Sequence, residues 1–167
     1  MTLFKEALGR TKLERLSINN CLLGEQGGIA MGEALVESNL FSLKYISAKN
    51  NGLKDEAAKA ISDGLKCPYI QLAGLDLSSN KINDAGGELI AEALSTNMSL
   101  NYLNLSSNNL RATSAAVFVT SLNENHHIKQ LKLKDNSITN DFIAAVNKLL
   151  KRNQSQNENT NAHLLDL

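Results

Sequence analysis

The chain carries a hydrophobic pattern that recurs five times. The units are 28 to 30 residues apart and begin at Leu13, Leu43, Leu72, Leu100 and Ile128. When the first residue of each unit is numbered 0, positions 0, 3, 5 and 10 are apolar in every unit. A hydrophobic content of 43% would make only about nine of these twenty positions apolar by chance. We therefore interpret the chain as a series of internal repeats.

Each unit reads as a short strand followed by a helix. Positions 3 and 5 share one face of a strand, because alternate strand residues point the same way. Positions 18 and 22 are also apolar in every unit, and residues four apart share a helical face. Position 12 can cap a helix or favour its positive end in four of the five units. Its residues are Glu25, Asp55, Asp84, Ala112 and Asn140. No unit could bury a core alone, so we predict that the units stack with parallel strands.

The stretches LAGLDLSSNKI, LNYLNLSSNNL and IKQLKLKDNSI carry a family resemblance. They resemble the leucine-rich repeat pattern L-x-x-L-x-L-x-x-N-x-L, and the repeat length resembles the ribonuclease-inhibitor-like subclass. The resemblance covers residues 13 to about 150. It implies a right-handed α/β solenoid, a horseshoe segment with a parallel concave sheet and convex helices. Because this fold hosts many unrelated activities, the resemblance says less about function.

Position 8 holds the repeated asparagine of the pattern. Its residues are Cys21, Asn51, Asn80, Asn108 and Asn136. Where the chain leaves the strand, buried backbone groups need partners, and an amide side chain offers both a donor and an acceptor. We interpret the four asparagines as a structural ladder rather than a reactive group. Cysteine replaces this asparagine in many ribonuclease-inhibitor-like repeats, so we expect Cys21 to be buried and unreactive.

The outward strand positions 2, 4 and 6 are the candidate binding surface. We select the partner-binding residues Arg15, Tyr45, Lys49, Asp76, Tyr102, Asn104, Gln130, Lys132 and Lys134. Tyrosine and arginine are enriched among the residues that anchor interfaces. We expect Tyr45 and Tyr102 to be the anchors, and the basic residues of the set to favour a partner with an acidic surface.

Composition restricts the function classes. Lys and Arg total 17 and so do Asp and Glu, which argues against a nucleic-acid partner. No apolar run is long enough for a membrane helix, and the opening MTLFKEALGRTK lacks the apolar core of a secretory signal. The two cysteines, Cys21 and Cys67, suggest a reducing compartment. We expect a cytoplasmic monomer that binds no membrane, or one in a host cytoplasm if the protein is translocated.

Residues that could carry chemistry are few. His126 and His127 are adjacent in a return loop, without further ligands at metal-binding spacing. No nucleotide-binding or zinc-protease motif occurs, and no nucleophile and base form a recognisable set. We therefore predict a protein that is not an enzyme and that uses no cofactor and no metal.

We predict a single domain over residues 1–167. Residues 1–12 are expected to be a partial helix or cap, 151–161 a polar insertion, and 162–167 a partial sixth strand or C-terminal cap. The leading functional hypothesis is a protein–protein interaction module that uses the concave face. The alternatives are a regulator of another enzyme (GTPase-activator-like or an inhibitor), the targeting module of a secreted bacterial or parasite effector, and a repeat block within a longer polypeptide.

Overall fold

A computed structural model describes residues 13–37 and 42–163 of the chain. Within these residues, five three-residue strands form one parallel sheet in chain order. The strands are β1 (Arg15–Ser17), β2 (Tyr45–Ser47), β3 (Gly74–Asp76), β4 (Tyr102–Asn104) and β5 (Gln130–Lys132). The helices that follow them are α1 (Gly24–Glu37), α2 (Asp55–Leu65), α3 (Asp84–Thr96), α4 (Ala112–Glu124) and α5 (Asn140–His163). The predicted α/β solenoid is confirmed.

The strands pair in the register of the repeats, so equivalent positions lie side by side. Position 3 is Leu16, Ile46, Leu75, Leu103 and Leu131 along the sheet. These side chains face the helices and form one core with positions 18 and 22 of each helix. The inner units are the most enclosed, since Leu75 and Leu103 have no exposed surface, whereas Leu16 in the first unit is half-buried. The core is therefore continuous and is most exposed at its first unit.

Each inner helix receives its N-terminal cap from the unit before it. The Asp55 carboxylate accepts hydrogen bonds from the backbone N–H groups of Asn83 at 2.8 Å and Gly86 at 3.2 Å, at the start of α3. Asp84 does the same for Arg111 at 2.7 Å and Ser114 at 3.2 Å, at the start of α4. The residues that directly precede α3 and α4 make no side-chain cap. The acidic position 12 therefore joins neighbouring units as well as stabilising a helix.

Helix α5 differs from the sequence prediction. The polar stretch 151–161 is not a separate insertion, because α5 continues through it to His163. The polar composition predicts an insertion, but polar residues can also form helical turns. The predicted cap at 1–12 lies outside the described residues, and so does the end of the predicted sixth strand, residues 164–167. Both of these remain predictions.

Candidate functional site

Two tyrosines meet on the face of the sheet that points away from the helices, which we call the concave face. Tyr45 on β2 and Tyr102 on β4 have ring centroids 6.1 Å apart, with the rings tilted by 37°. The two strands are separated by β3, where Gly74 occupies the equivalent position. A Cβ atom at Gly74 would lie only 2.4 Å from Cδ2 of Tyr45. The absence of a side chain on β3 therefore lets the two rings approach each other above it.

A cation lies against the outer side of each ring. The Arg15 guanidinium carbon is 5.3 Å from the centroid of Tyr45, and Nζ of Lys132 is 5.2 Å from that of Tyr102. Both distances fall within the range of cation–π attraction. We call these four residues, Arg15, Tyr45, Tyr102 and Lys132, the aromatic row. Its residues lie on β1, β2, β4 and β5, and it presents apolar ring surface between two positive charges.

The surroundings of Tyr45 raise the pKa of its hydroxyl. Burial raises the pKa of Tyr45, and the negative charges that Tyr102 and Asp76 can carry raise it further, while Arg15 acts in the opposite direction. A tyrosine whose pKa is at or above the ordinary value near 10 is neutral at physiological pH, so the Tyr45 side chain is uncharged there. The phenol can therefore act as a hydrogen-bond donor as well as an apolar surface.

A second row of polar side chains lies beside the aromatic row. Asn104 donates from Nδ2 to Oδ2 of Asp76 at 3.1 Å, across β3 and β4. Asp76 also accepts from the backbone N–H of Ser78, and Asn104 from that of Ser106. These two side chains are half-buried and held in place by each other and by the backbone. They form a fixed polar border for the aromatic row.

The remaining candidates on the concave face are less closely grouped. Gln130 ends the row of position 2 on β5, and its side chain is exposed. Lys49 and Lys134 are exposed at position 6, in the second and the fifth unit. The structure thus brings four of the nine candidates into the aromatic row and pairs Asp76 with Asn104, while three lie around them.

Asparagine 80 lies in the turn behind the concave face, with an exposed fraction of 7%. Its Oδ1 accepts from the backbone N–H of Asn51 at 2.9 Å and of Leu53 at 3.1 Å, both in the preceding unit. Its Nδ2 donates to the carbonyls of Ala48, Leu77 and Ser78 at 3.1, 2.9 and 3.3 Å. The amide therefore bonds five backbone groups in two consecutive turns.

Similar bonds recur at the other position-8 asparagines. Asn51 accepts from Cys21 N–H at 2.9 Å and donates to the carbonyl of Ile18 at 2.7 Å. Asn136 accepts from Leu110 N–H at 3.0 Å. In all five units, the residue at position 7 adopts a left-handed backbone conformation, with φ between 52° and 57°. Those residues are Asn20, Asn50, Ser79, Ser107 and Asp135. After four of these residues the next side chain is an asparagine that bonds the turn backbone, whereas Cys21, which follows Asn20, is exposed.

Cys21 departs from the expectation of burial, because its side chain is exposed. A position-8 side chain normally reaches back to the turn of the preceding unit, and Cys21 belongs to the first described unit. Its Sγ donates instead to the carbonyl of Asn19 at 3.3 Å, within its own turn. The prediction that Cys21 is buried is wrong.

A second asparagine ladder was missed by the sequence analysis. Asn97, Asn125 and Asn153 lie at position 25 of the last three units and are 3%, 2% and 0% exposed. Asn125 donates to the carbonyls of Leu94 at 2.6 Å and Asn97 at 2.8 Å, and accepts from Ile128 N–H at 2.9 Å. These bonds join the C-terminal ends of neighbouring helices. The recurrence of asparagine at a spacing of 28 residues was the available signal.

Other classes of site find no support in the described part of the chain. Within residues 13–37 and 42–163, no three His, Cys, Asp or Glu side chains are placed so that they could hold a metal ion together. None of the described helices has the length and the apolar composition needed to cross a membrane.

Comparison with known proteins connects the repeats to a described family. A family model described as Leucine Rich repeat matches residues 75–91, 96–119 and 124–141. NACHT, LRR and PYD domains-containing protein 14 of Mus musculus is 34% identical over 93 residues, which are 56% of this chain and 9% of that protein. Leucine-rich repeat-containing protein AAC1 of Dictyostelium discoideum is 28% identical over 92 residues, 50% of this chain and 12% of that protein. The chain thus spans about a tenth of the length of these curated relatives.

Two solved structures share the fold over nearly their whole length. Leiomodin-1 actin-binding site 2 superposes with a TM-score of 0.80 at 23% identity, covering 98% of this chain and 96% of that one. The tropomodulin C-terminal domain of Caenorhabditis elegans has a TM-score of 0.82 at 15% identity, covering 97% of this chain and 98% of that one. At these identities the likeness concerns the fold alone.

Proposed function

Because the chain is a leucine-rich repeat protein, we propose that it binds another protein through the concave face of its sheet. The observation that supports this most is the aromatic row. Its two tyrosines offer apolar surface with few rotatable bonds, so binding costs little side-chain entropy. Aromatic residues and arginine are also enriched among the residues that dominate binding energy. The proposal involves no catalytic step.

The charges of the row favour an acidic partner. Arg15 and Lys132 flank the rings, and Lys49 and Lys134 are exposed nearby. Asp76 is the acidic member of the candidate set, and Asn104 bonds one of its oxygens. Complementary charge mainly accelerates association, and salt screens it over a distance of about 8 Å at physiological ionic strength. We expect the affinity for the partner to fall as salt concentration rises.

The experiment is affinity purification with mass spectrometry, followed by binding measurements on the recovered partner. The test variant carries Tyr45→Ala and Tyr102→Ala, and we expect its affinity to be lower by about tenfold or more. A second variant, Gly74→Ala, keeps both tyrosines but places a Cβ atom 2.4 Å from the Tyr45 ring. It should weaken binding by displacing that ring.

The chain contains a matched control in Tyr69, which is 73% exposed and lies in a return loop outside the concave face. Tyr69→Ala removes the same side chain and should leave affinity unchanged. If the double variant binds the recovered partner as tightly as the original chain, the concave face is not the binding surface.

A second candidate partner is actin. The observation that favours it is the end-to-end superposition on a solved domain described as an actin-binding site. Co-sedimentation with filamentous actin, and pull-down with monomeric actin, would test it. Recovery of the chain with neither form would rule actin out as the partner. The regulator and effector alternatives remain predictions.

A further inference from the structure

The fifth strand has no strand on its outer side within the described residues. In the inner units, the N–H at position 5 donates to the next strand. Leu77 donates to the carbonyl of Asn104 at 2.9 Å, and Leu105 to that of Lys132 at 2.8 Å. The equivalent N–H belongs to Leu133, and it makes no hydrogen bond to a described residue. Leu133 thus offers a free donor where each inner unit receives another strand.

The acceptor on the same edge is occupied by a side chain. In the inner units, the carbonyl at position 1 accepts two N–H groups of the next strand, as Asn101 does from Lys129 at 2.8 Å and Gln130 at 3.0 Å. The equivalent carbonyl, that of Lys129, accepts instead from Nε2 of Gln154 at 2.8 Å. On the outer edge of β5, the Lys129 carbonyl is therefore bonded by a side chain, while the Leu133 N–H has no described partner.

The apolar core is also incompletely covered at this end. Leu131 and Leu133 are 7% and 5% exposed, whereas the equivalent residues of the fourth unit have no exposed surface. Ile138 and Ile143 are half-buried. A cavity of about 370 Å³ lies between these residues and Val146. A further strand with leucine on its inner face would fill this position.

Asn153 occupies position 25 of its unit, the position directly after the ends of α3 and α4 in their own units. It is fully buried, and its Nδ2 donates to the carbonyls of Asn125 and Ile128, both at 3.0 Å. Asn125 makes the equivalent of the first of these bonds one unit earlier, to the carbonyl of Asn97 at 2.8 Å. Helix α3 ends one residue before Asn97 and α4 one residue before Asn125, but α5 continues for ten residues beyond Asn153. Asn153 thus repeats one of the helix-end hydrogen bonds of Asn125, while its Oδ1 accepts from the Arg152 guanidinium and not from the backbone N–H groups that follow.

The part of α5 beyond Asn153 has little to stabilise it as a helix. Its sequence, QSQNENTNAH, is mostly Asn, Gln, Ser and Thr, and Gln154 and Ser155 are exposed. Short helical segments with few strong helix-forming residues are marginal in water. Ten unwound residues span up to about 33 Å. Unwinding this stretch therefore costs little and leaves enough chain to reach β5.

The segment that follows repeats a strand of this protein. Residues 165–167 read Leu-Asp-Leu, as residues 75–77 do in and after β3. We propose that residues 164–167 dock onto β5 of the same chain as a sixth parallel strand, in a state in which α5 ends near Asn153. Leu165 would then lie beside Leu131, and Asp166 beside Lys132. An opposite-charge pair between neighbouring strands is favourable.

The test is residue-resolved amide hydrogen exchange on the full chain. In the docked state, Leu133 N–H donates to the carbonyl of Asp166 and is protected. A variant with Leu165→Ser and Leu167→Ser should exchange the Leu133 amide at least about tenfold faster, because it loses the apolar contacts of the strand. Leu164→Ser is the matched control, since Leu164 would point to the opposite face and its loss should leave this exchange unchanged.

Charge reversal tests the register. Lys132→Glu alone should accelerate exchange at Leu133, and adding Asp166→Lys should restore the original rate. Failure of the second change to restore it would overturn the proposed register. Equal exchange at Leu133 in the full chain and in the double serine variant would overturn the docking itself. Protection that increases with protein concentration would show that the segment docks on a second copy, and would also overturn docking within the chain.

Discussion

At the scale of single residues, a few buried amides hold consecutive turns together. Asn80 bonds five backbone groups, and Asn125 performs a similar role at the other end of the helices. A buried polar group without a partner lowers the free energy of unfolding by about 1–3 kcal/mol. One amide that bonds several such groups therefore contributes strongly to stability. Because these side chains are buried, we expect them to contribute little to partner recognition.

Replacing Asn80 with alanine should therefore be severely destabilising. We expect a loss of at least about 3 kcal/mol in the free energy of unfolding, because the partners of both Oδ1 and Nδ2 lose their bonds. Asn80→Asp should also destabilise, since it places an oxygen where Nδ2 now donates to three carbonyls. Urea unfolding followed by circular dichroism measures both. Asn101→Ala at an exposed position is the control, and a similar loss there would contradict the assignment.

The lowered pKa of Asp84 leads us to expect that the stability of the fold depends on pH. Burial opposes its ionisation, but the Ser114 hydroxyl, the N–H groups of Arg111 and Ser114, and the charge of Arg111 together lower its pKa. In the unfolded chain its pKa is about 3.9. A lowered folded pKa gives stability that is present above the unfolded value and is lost as pH falls through the folded value. The stabilising charge is thus complete near neutral pH.

We expect Asp84→Asn to lower the free energy of unfolding at pH 7, and the difference from the original chain to shrink below about pH 4. Chemical denaturation at a series of pH values measures this difference. A gap of constant size from pH 7 to pH 3 would mean that the Asp84 charge contributes nothing, and that the substitution acts only through geometry.

At the scale of elements, each inner helix depends on the unit before it. Glu25 accepts from Ala57 N–H at 2.8 Å, and Asp55 and Asp84 extend the series along the stack. The series stops at Ala112, which has no carboxylate to offer α5. Sequence analysis identified position 12 as a cap, but it could not identify which helix is capped. That depends on how far one unit is offset from the next, which spacing along the chain does not encode.

Asp55→Ala should remove the cap of α3 and lower the free energy of unfolding by about 0.5–2 kcal/mol. Glu56→Ala is the matched control, because Glu56 is an exposed acid in the same first turn of α2. A general effect of negative charge on the α2 dipole would destabilise both variants equally. A specific cap, formed across two units, would destabilise only the first. Thermal or urea unfolding of the two variants decides between these outcomes.

At the scale of the whole molecule, the sequence predicted the solenoid because its apolar positions repeat in register and the observed core uses those positions. The outward strand positions could be read in the same way. The contact between Tyr45 and Tyr102 was harder to predict, since the two strands are not neighbours and meet only because Gly74 lies between them. The helical conformation of residues 151–161 was not predicted, because polar composition alone does not distinguish an insertion from a helix.

The stacked architecture makes a final prediction about local stability. Each unit contacts only its neighbours. An inner unit is therefore held by a described unit on each side, whereas the first described unit packs against one described neighbour. Ile18 donates to Ser47 at 2.8 Å and Leu77 donates to Asn104 at 2.9 Å, two equivalent bonds in different units. Ile18 is half-buried, whereas Leu77 has no exposed surface. We expect the Leu77 amide to exchange at least about tenfold more slowly than the Ile18 amide under native conditions. Equal protection of the two amides would show instead that all units open together, and that the chain behaves as one cooperative block.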